Sequence, residues 1–294
     1  MRRPAQFLLL LAPAVLLVLA GCTGTAAPSP TSSSATADGS DADTSSPVDT
    51  TVYPVPAGVA VDYQLGGSYD PPTSVGIVVR DSTAVPLEAV YSVCYINAFQ
   101  TQPQDAAIWT SQRSDLLLKT STGSFLIDKD WPDEMILDTS TAAKRTELAA
   151  IVGDTIQLCK DDNFDAVEFD NLDSWTRSKG ALTQQDNLDF ATLLVAKAHS
   201  VGLAAAQKNS AELGTAGRDT AKFDFAITEE CDAYSECAAF TKVYGDRVID
   251  IEYTDNLRDT FAKTCARSTT PVMTVLRDRD LHTPGDKGYV YKHC

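Results

Sequence analysis

Residues 164–175 read FDAVEFDNLDSW. Phe164, Ala166, Val167 and Phe169 give this stretch the character of a buried strand. Asp165, Glu168, Asp170 and Asp173 nevertheless add four carboxylates to the same twelve residues. Burying an unpaired carboxylate is costly, so such groups are neutralised, paired or in use. Side chains alternate along a strand, which sets Ala166, Glu168 and Asp170 on one face and Val167 and Phe169 on the other. If the apolar pair meets a layer of helices, the acids look into whatever the strand helps to enclose. Asp170 then lies nearest solvent, with Glu168 one layer deeper.

Working outward, strand-like and helix-like segments alternate. The apolar runs predict strands over Val59–Gln64, Val75–Arg80, Val90–Asn97, Met135–Asp138, Asp165–Asp170, Gly202–Lys208, Asp224–Glu229, Ile249–Tyr253 and Val272–Arg277. Helical patterns cover Thr141–Lys160, Thr183–His199 and Asp255–Ala266, and Thr183 with Asp186 three residues on resembles a capping box. This alternation predicts an α/β domain with a parallel sheet, most simply a (β/α)8 TIM barrel in a single domain. Nine candidates against eight barrel strands make one at either end an extra strand or no strand. A doubly wound sheet is the competing arrangement. However, no Gly-x-Gly-x-x-Gly turn follows a strand, and no Gly-x-x-x-x-Gly-Lys-Ser/Thr motif occurs.

In such a barrel the C-terminal strand ends form one rim, where catalytic groups are held. Asp81, Asn97, Asp138, Asp170, Lys208, Asn209, Glu229 and Glu252 all fall at or just past candidate strand ends. Singly, each reads as a loop-closing polar residue. Together they predict a strongly anionic pocket. Tyr95, Tyr253, Trp131 and Trp175 are candidates for stacking on a ligand ring, or for ordinary packing. His199, His282 and His293 are scattered and read as structural or exposed.

The 294-residue chain opens with Arg2 and Arg3, an apolar run from Phe7 to Leu19, and then Leu19-Ala20-Gly21-Cys22. Residues 1–21 read as an export signal. A cysteine directly after Leu-Ala-Gly resembles the bacterial lipobox, which makes Cys22 a lipidation site and the protein exported and anchored to the cell membrane outside the cytoplasm. Residues 22–52 are nearly all Thr, Ser, Ala, Pro, Gly and Asp, the composition of a disordered linker. A tether of about 30 such residues spans roughly 30 Å. Residues 53–294 form the folded domain.

Six further cysteines remain: Cys94, Cys159, Cys231, Cys237, Cys265 and Cys294. An even set in an exported chain predicts disulfides, and without a Cys-x-x-Cys pair or a nearby His cluster no metal site is expected. Cys231 and Cys237 are close enough for a local staple. Cys265 with Cys294 would secure the C-terminus and leave Cys94 with Cys159, although the sequence leaves fifteen connectivities open. The net charge of −16 argues against nucleic acid and anionic surfaces as partners and favours a cationic substrate.

Several motifs together resemble glycoside hydrolase family 114. They are Val93-Cys94-Tyr95-Ile96-Asn97, the Phe164–Asp173 stretch, Gln207-Lys208-Asn209, Glu229-Glu230-Cys231 with Tyr234 and Cys237, and Ile251-Glu252-Tyr253. The resemblance runs from about Asp62 to Tyr253 in order. It implies an endo-α-1,4-polygalactosaminidase-like enzyme on a (β/α)8 barrel, acting on a galactosamine-containing polysaccharide; a monomer without a cofactor is expected. It also implies Asp170 and Glu229 as the catalytic pair; from the reading of the rim, Asp81, Tyr95, Asn97, Asp138, Glu168, Asn171, Lys208, Asn209, Glu252 and Tyr253 are expected around the substrate. Two positions depart from the family pattern: Phe169 stands where Pro is frequent, and Glu230 where Gln is frequent.

Glycoside hydrolysis needs two carboxyl groups with separated pKa values. Lys208 would hold one ionised while Glu168 raises the other. Asp170 is then nucleophile or base and Glu229 general acid, or the reverse. Three rival readings remain at this level. Asp170, Glu229 and Glu252 would ligate Mg²⁺ in an enolase-like barrel. Lys208 would form a Schiff base. The chain would be a sugar-binding lipoprotein without turnover.

Overall fold

The computed structural model describes residues 50–294. The expected signal peptide, Cys22 and nearly all of the linker lie outside the described residues. Eight strands follow one another in a parallel sheet: β1 Ala60–Tyr63, β2 Val75–Asp81, β3 Tyr91–Asn97, β4 Ala166–Asp170, β5 Ala204–Lys208, β6 Phe225–Glu229, β7 Val248–Tyr253 and β8 Met273–Arg277. A ninth, β9 (Tyr291–His293), pairs antiparallel with β8. The sheet curls into a nearly closed α/β barrel, as the alternation predicted.

Period-2 alternation decides the two layers. Tyr63, Ile77, Val93, Ala166, Phe225 and Ile251 point inward and pack with one another. Val167 and Phe169 point outward, into the cluster that also holds Leu148, Ile156, Phe190 and Leu194. Those four belong to α2 (Ala142–Asp161) and α4 (Gln184–Ser200), the longest helices. The predicted capping box opens α4: the Thr183 hydroxyl accepts from Asp186 N, and the Asp186 carboxylate accepts from Thr183 N. Shorter helices are α1 (Ala106–Gln112), α3 (Ser174–Arg177), α5 (Cys237–Tyr244) and α6 (Phe261–Ala266).

Two predicted elements differ. Met135–Asp138 is not a barrel strand but part of the long excursion between β3 and α2. There it forms isolated antiparallel bridges, Gln100 with Ile136, Leu117 with Leu137 and Ile127 with Met135. The apolar run is real, but it is buried from a loop: Ile136 enters a satellite cluster with Leu118, Leu126 and Leu182, while Met135 and Leu137 join the cluster outside the barrel. The surplus candidate was therefore in the middle of the chain, and the extra terminal strand is β9. The helix expected over Asp255–Ala266 starts only at Phe261, because Thr260 is extended (φ −72°, ψ 146°) and Asp255 is bound by Arg279.

Side chains close the seam between β8 and β1. Arg277 on β8 and Asp62 on β1 are both fully buried and form an ion pair at 3.0 Å. The same guanidinium donates to Tyr63 O, to Val290 O at 3.0 Å and to His282 O at 2.9 Å. Three disulfides join Cys94 to Cys159, Cys231 to Cys237 and Cys265 to Cys294, the pairing favoured by the spacing. The first ties β3 to α2 and the last ties α6 to the C-terminus.

Removing one partner of a buried ion pair leaves the other charge uncompensated. Arg277→Ala is therefore expected to lower stability by about 3–5 kcal/mol. Urea denaturation of the purified protein measures the loss.

Candidate active site

Three consecutive strand ends carry the charged residues. Lys208 ends β5, and its side chain is only 2% exposed. Its ammonium lies 3.1 Å from Glu168 Oε1, 3.1 Å from Asp170 Oδ1 and 3.2 Å from Glu229 Oε2. Glu168 and Asp170 come from β4 and Glu229 from β6, so one cation joins acids from both neighbouring strands. Tyrosines supply the remaining bonds. The Tyr63 hydroxyl donates to Glu168 at 3.0 Å, that of Tyr95 to Asp170 at 2.5 Å, and that of Tyr253 to Glu229. Burial first, and then the adjacent carboxylates, push all three phenols well above their usual range, so each remains a donor.

The arrangement separates the two β4 acids. Glu168 is fully buried, and burial pushes its pKa up to about 7 against the opposing pull of Lys208. Burial also disfavours charge on Asp170, but Lys208, the Tyr95 hydroxyl and the Asn171 N–H outweigh it and hold the carboxyl below its ordinary range. Burial works against charge on Lys208 too, yet Asp170 and Glu229 overcome it and raise the amine well above its ordinary value. The ammonium is already the shared counter-ion of three acids, which argues against the Schiff-base reading. The enolase-like reading fails on geometry. Glu252 points away from Asp170 and Glu229, and the Lys208 ammonium sits between those two acids.

These residues open onto a cavity of about 630 Å³. Of the residues predicted from sequence, Tyr95, Asp170, Asn171, Lys208, Asn209, Glu229 and Tyr253 line it. Glu168 lies beneath it. Asn97 stands behind the wall, donating to Glu134 at 2.9 Å and accepting from Asn171 at 2.9 Å. Three predicted residues are not at the cavity. Asp81 accepts from the Thr83 amide and hydroxyl in its own turn. Asp138 accepts from Lys144 at 2.5 Å and from Ser140 N at the start of α2. Glu252 is buried on the outer face of β7, where it accepts from Asp232 N at 2.7 Å. Alternation explains this last result: Ile251 and Tyr253 take the inner face, so Glu252 cannot.

Sequence reasoning missed several cavity residues. Tyr63 lay inside a predicted strand without a role. Asp128 and Glu134 arrive on the excursion after β3, Arg177 on α3, and Arg279 on the chain after β8. Arg279 binds Glu230 through two hydrogen bonds (2.6 and 3.1 Å) and stacks 4.1 Å from the Tyr253 ring centroid. Glu230 therefore neither faces solvent nor adds an unbalanced charge beside Glu229. Of the two tryptophans considered as stacking candidates, Trp131 is 63% exposed and lines the cavity, whereas Trp175 packs beside Leu182. His199 and His282 are bound by Asp224 and Asp278 and do not line the cavity.

The profile of glycoside-hydrolase family GH114 matches residues 42–294. The chain belongs to this family. Among solved structures, Ega3 of Aspergillus fumigatus in complex with galactosamine superposes with a TM-score of 0.63 at 21% identity. That match covers 81% of this chain and 96% of the Ega3 chain. The glycoside hydrolase domain of PelA from Pseudomonas aeruginosa gives a TM-score of 0.55 at 13% identity, over 77% of this chain and 97% of that domain. Both share the fold. No curated protein matches the chain in sequence. Family membership makes the chain a glycoside hydrolase.

Glu168 generates a pH prediction. Its pKa near 7 in the folded state exceeds the ordinary 4.5, so the folded protein holds this proton more tightly than the unfolded chain. Stability from this group is thus present below about pH 4.5 and lost as pH rises to about 7. Glu168→Gln should match the wild type near pH 4.5 and exceed it at pH 8 by roughly 2–4 kcal/mol. Urea titrations at the two pH values test this; an unchanged pH dependence in the variant would refute it.

Proposed function

We propose that this family member is a retaining hydrolase of a galactosamine-containing polysaccharide, with Asp170 as nucleophile and Glu229 as acid and base. The observation that carries the reading is the shared ammonium. Asp170 Oδ1 and Glu229 Oε2 lie 3.1 and 3.2 Å from one nitrogen, so these oxygens cannot be further apart than the two distances combined. Inverting enzymes need roughly 6.5–9.5 Å between carboxyl groups to admit a water, whereas retaining ones use about 5–5.5 Å. Asp170 is held ionised, as a nucleophile must be.

In the first step Asp170 bonds to the anomeric carbon as the glycosidic C–O bond breaks, and Glu229 gives its proton to the departing oxygen. In the second, Glu229 takes a proton from water, whose oxygen displaces Asp170 from the same carbon. Trp131 offers an exposed ring face for a sugar. The galactosamine bound to Ega3 supports an amino sugar as ligand, and the excess of carboxylates around the cavity suits a protonated amine.

Asp170→Asn and Glu229→Gln keep shape and remove the titrating oxygen. Each should lower turnover of an α-1,4-galactosamine polymer by about 10²–10⁴-fold with the fold intact. Reducing-end release and circular dichroism measure the two properties. NMR of the first-formed product should show the anomer of the substrate; the opposite anomer would sink the retaining mechanism. EDTA should leave turnover unchanged.

We further propose that the enzyme is exported and lipid-anchored through Cys22, on the strength of Leu19-Ala20-Gly21-Cys22 and the linker that follows. Cys22→Ala should shift the protein from the membrane fraction to the medium or leave it unprocessed. Recovery of the wild type entirely in the soluble fraction would contradict this.

A further inference from the structure

Eight carboxylates line the cavity: Asp128, Asp130, Glu134, Asp170, Asp173, Glu229, Glu230 and Asp280. Most are already matched by a cation. Lys208 serves Asp170 and Glu229, Arg177 serves Asp128 and Asp173, and Arg279 serves Glu230. Asp130 and Asp280 are exposed, where water solvates them. Glu134 alone is half-buried in the wall with no cation bound to it among the described residues.

Its position is built rather than incidental. The Asn97 amide donates to Glu134 Oε2 at 2.9 Å, and Asn97 in turn accepts from Asn171, the residue after Asp170. Arg177 donates to Asn171 at 2.8 Å, and Asp128 fixes Arg177 at 2.6 Å. A turn from Trp131 O to Glu134 N, 2.9 Å, sets the exposed indole on the same segment. Strands β3 and β5 flank β4. Glu134, held from β3, and Lys208, on β5, therefore approach Asp170 from opposite sides. A sugar attacked by Asp170 and protonated by Glu229 would extend its other substituents toward Glu134.

We propose that Glu134 is the specificity-determining residue that recognises the protonated amine of the sugar bound beside Asp170, so that the enzyme selects free amino sugars over N-acetylated or hydroxyl counterparts. An ammonium there supplies the missing cation and replaces lost hydration with a charge-assisted hydrogen bond. An acetamido or hydroxyl group supplies no charge and leaves the carboxylate uncompensated. The charged groups near Glu134 agree with this: burial raises its pKa to about 6, with Asp170 and Asp128 adding to the rise, Asn97 opposing it and Arg177 too committed elsewhere to reverse it. An arriving ammonium reverses that penalty.

This inference rests on the proposed amino-sugar reading, and binding separates the two. Calorimetry on the full-length protein would compare galactosamine, N-acetylgalactosamine and galactose as probes, for wild type, Glu134→Gln and Glu134→Asp. Wild type should prefer galactosamine, and Glu134→Gln should lose roughly 10- to 100-fold of that preference, the weight of a charged hydrogen bond. Glu134→Asp, keeping the charge, should recover part of it. On deacetylated polymer, Glu134→Gln should raise KM by a similar factor and leave kcat nearly intact. If Glu134→Gln keeps the wild-type preference, or wild type has none, the inference is overturned, even where the polymer is hydrolysed. If the amine preference depends on Glu134 but the galactosamine polymer is not cleaved, the inference holds and the proposed polymer substrate falls.

Discussion

One buried ammonium organises this protein. Lys208 is removed from water and is tolerated there only because Glu168, Asp170 and Glu229 surround it within 3.2 Å. Three acids around one cation cannot all be equally satisfied. The deepest, Glu168, keeps its proton up to near neutrality, while Asp170, which also accepts from Tyr95, gives its proton up. Burial thus does the work of sorting chemically similar carboxyl groups. Parallel register makes it possible, because β4, β5 and β6 bring their C-terminal ends to one rim.

The turns leaving that rim are as constrained as the side chains. Asn171, Asn209 and Glu230 each follow a site strand with positive φ, at 62°, 46° and 62°. Asparagine tolerates this left-handed region better than most residues, and here its side chain is also used. Asn171 donates to Asn97, and Asn209 accepts from the Glu229 amide at 2.8 Å. Glu230 has no such advantage, and the two bonds from Arg279 hold it instead. The turn residues therefore fix the strand ends on which Asp170 and Glu229 stand.

The fold was legible wherever one period dominated. Phe164–Asp170 declared both its faces, and α4 declared its cap. The Met135–Asp138 run misled because an apolar segment reads alike whether it joins a barrel or closes a satellite cluster. At the site, Asp170, Lys208 and Glu229 were visible as charges at strand ends. Glu252 was misplaced by ignoring the alternation that Ile251 and Tyr253 define. Glu134, Arg177 and Arg279 carried no local signal, because they reach the cavity from a loop, a one-turn helix and the chain after the last barrel strand. Their partners are distant in sequence, so only the folded chain pairs them.

Glu252 also shows how an acid outside the cavity can still bear on the chemistry. With Asp250 it forms a buried pair on the outer face of β7, and burial, compounded by Glu252, holds Asp250 well above its ordinary range. The pair faces the loop that follows Glu229. Asp250 accepts from Cys231 N at 3.1 Å and Glu252 from Asp232 N at 2.7 Å. Asp232 is then gripped by Thr264 and Arg267, and the Cys231–Cys237 disulfide closes the loop. Backbone N–H groups emerging from β6 would otherwise be buried without partners. The carboxylates of β7 satisfy them, and the loop they hold begins one residue after the proposed acid. Placing Glu252 outward therefore costs the cavity a carboxylate but anchors the segment that carries Glu229.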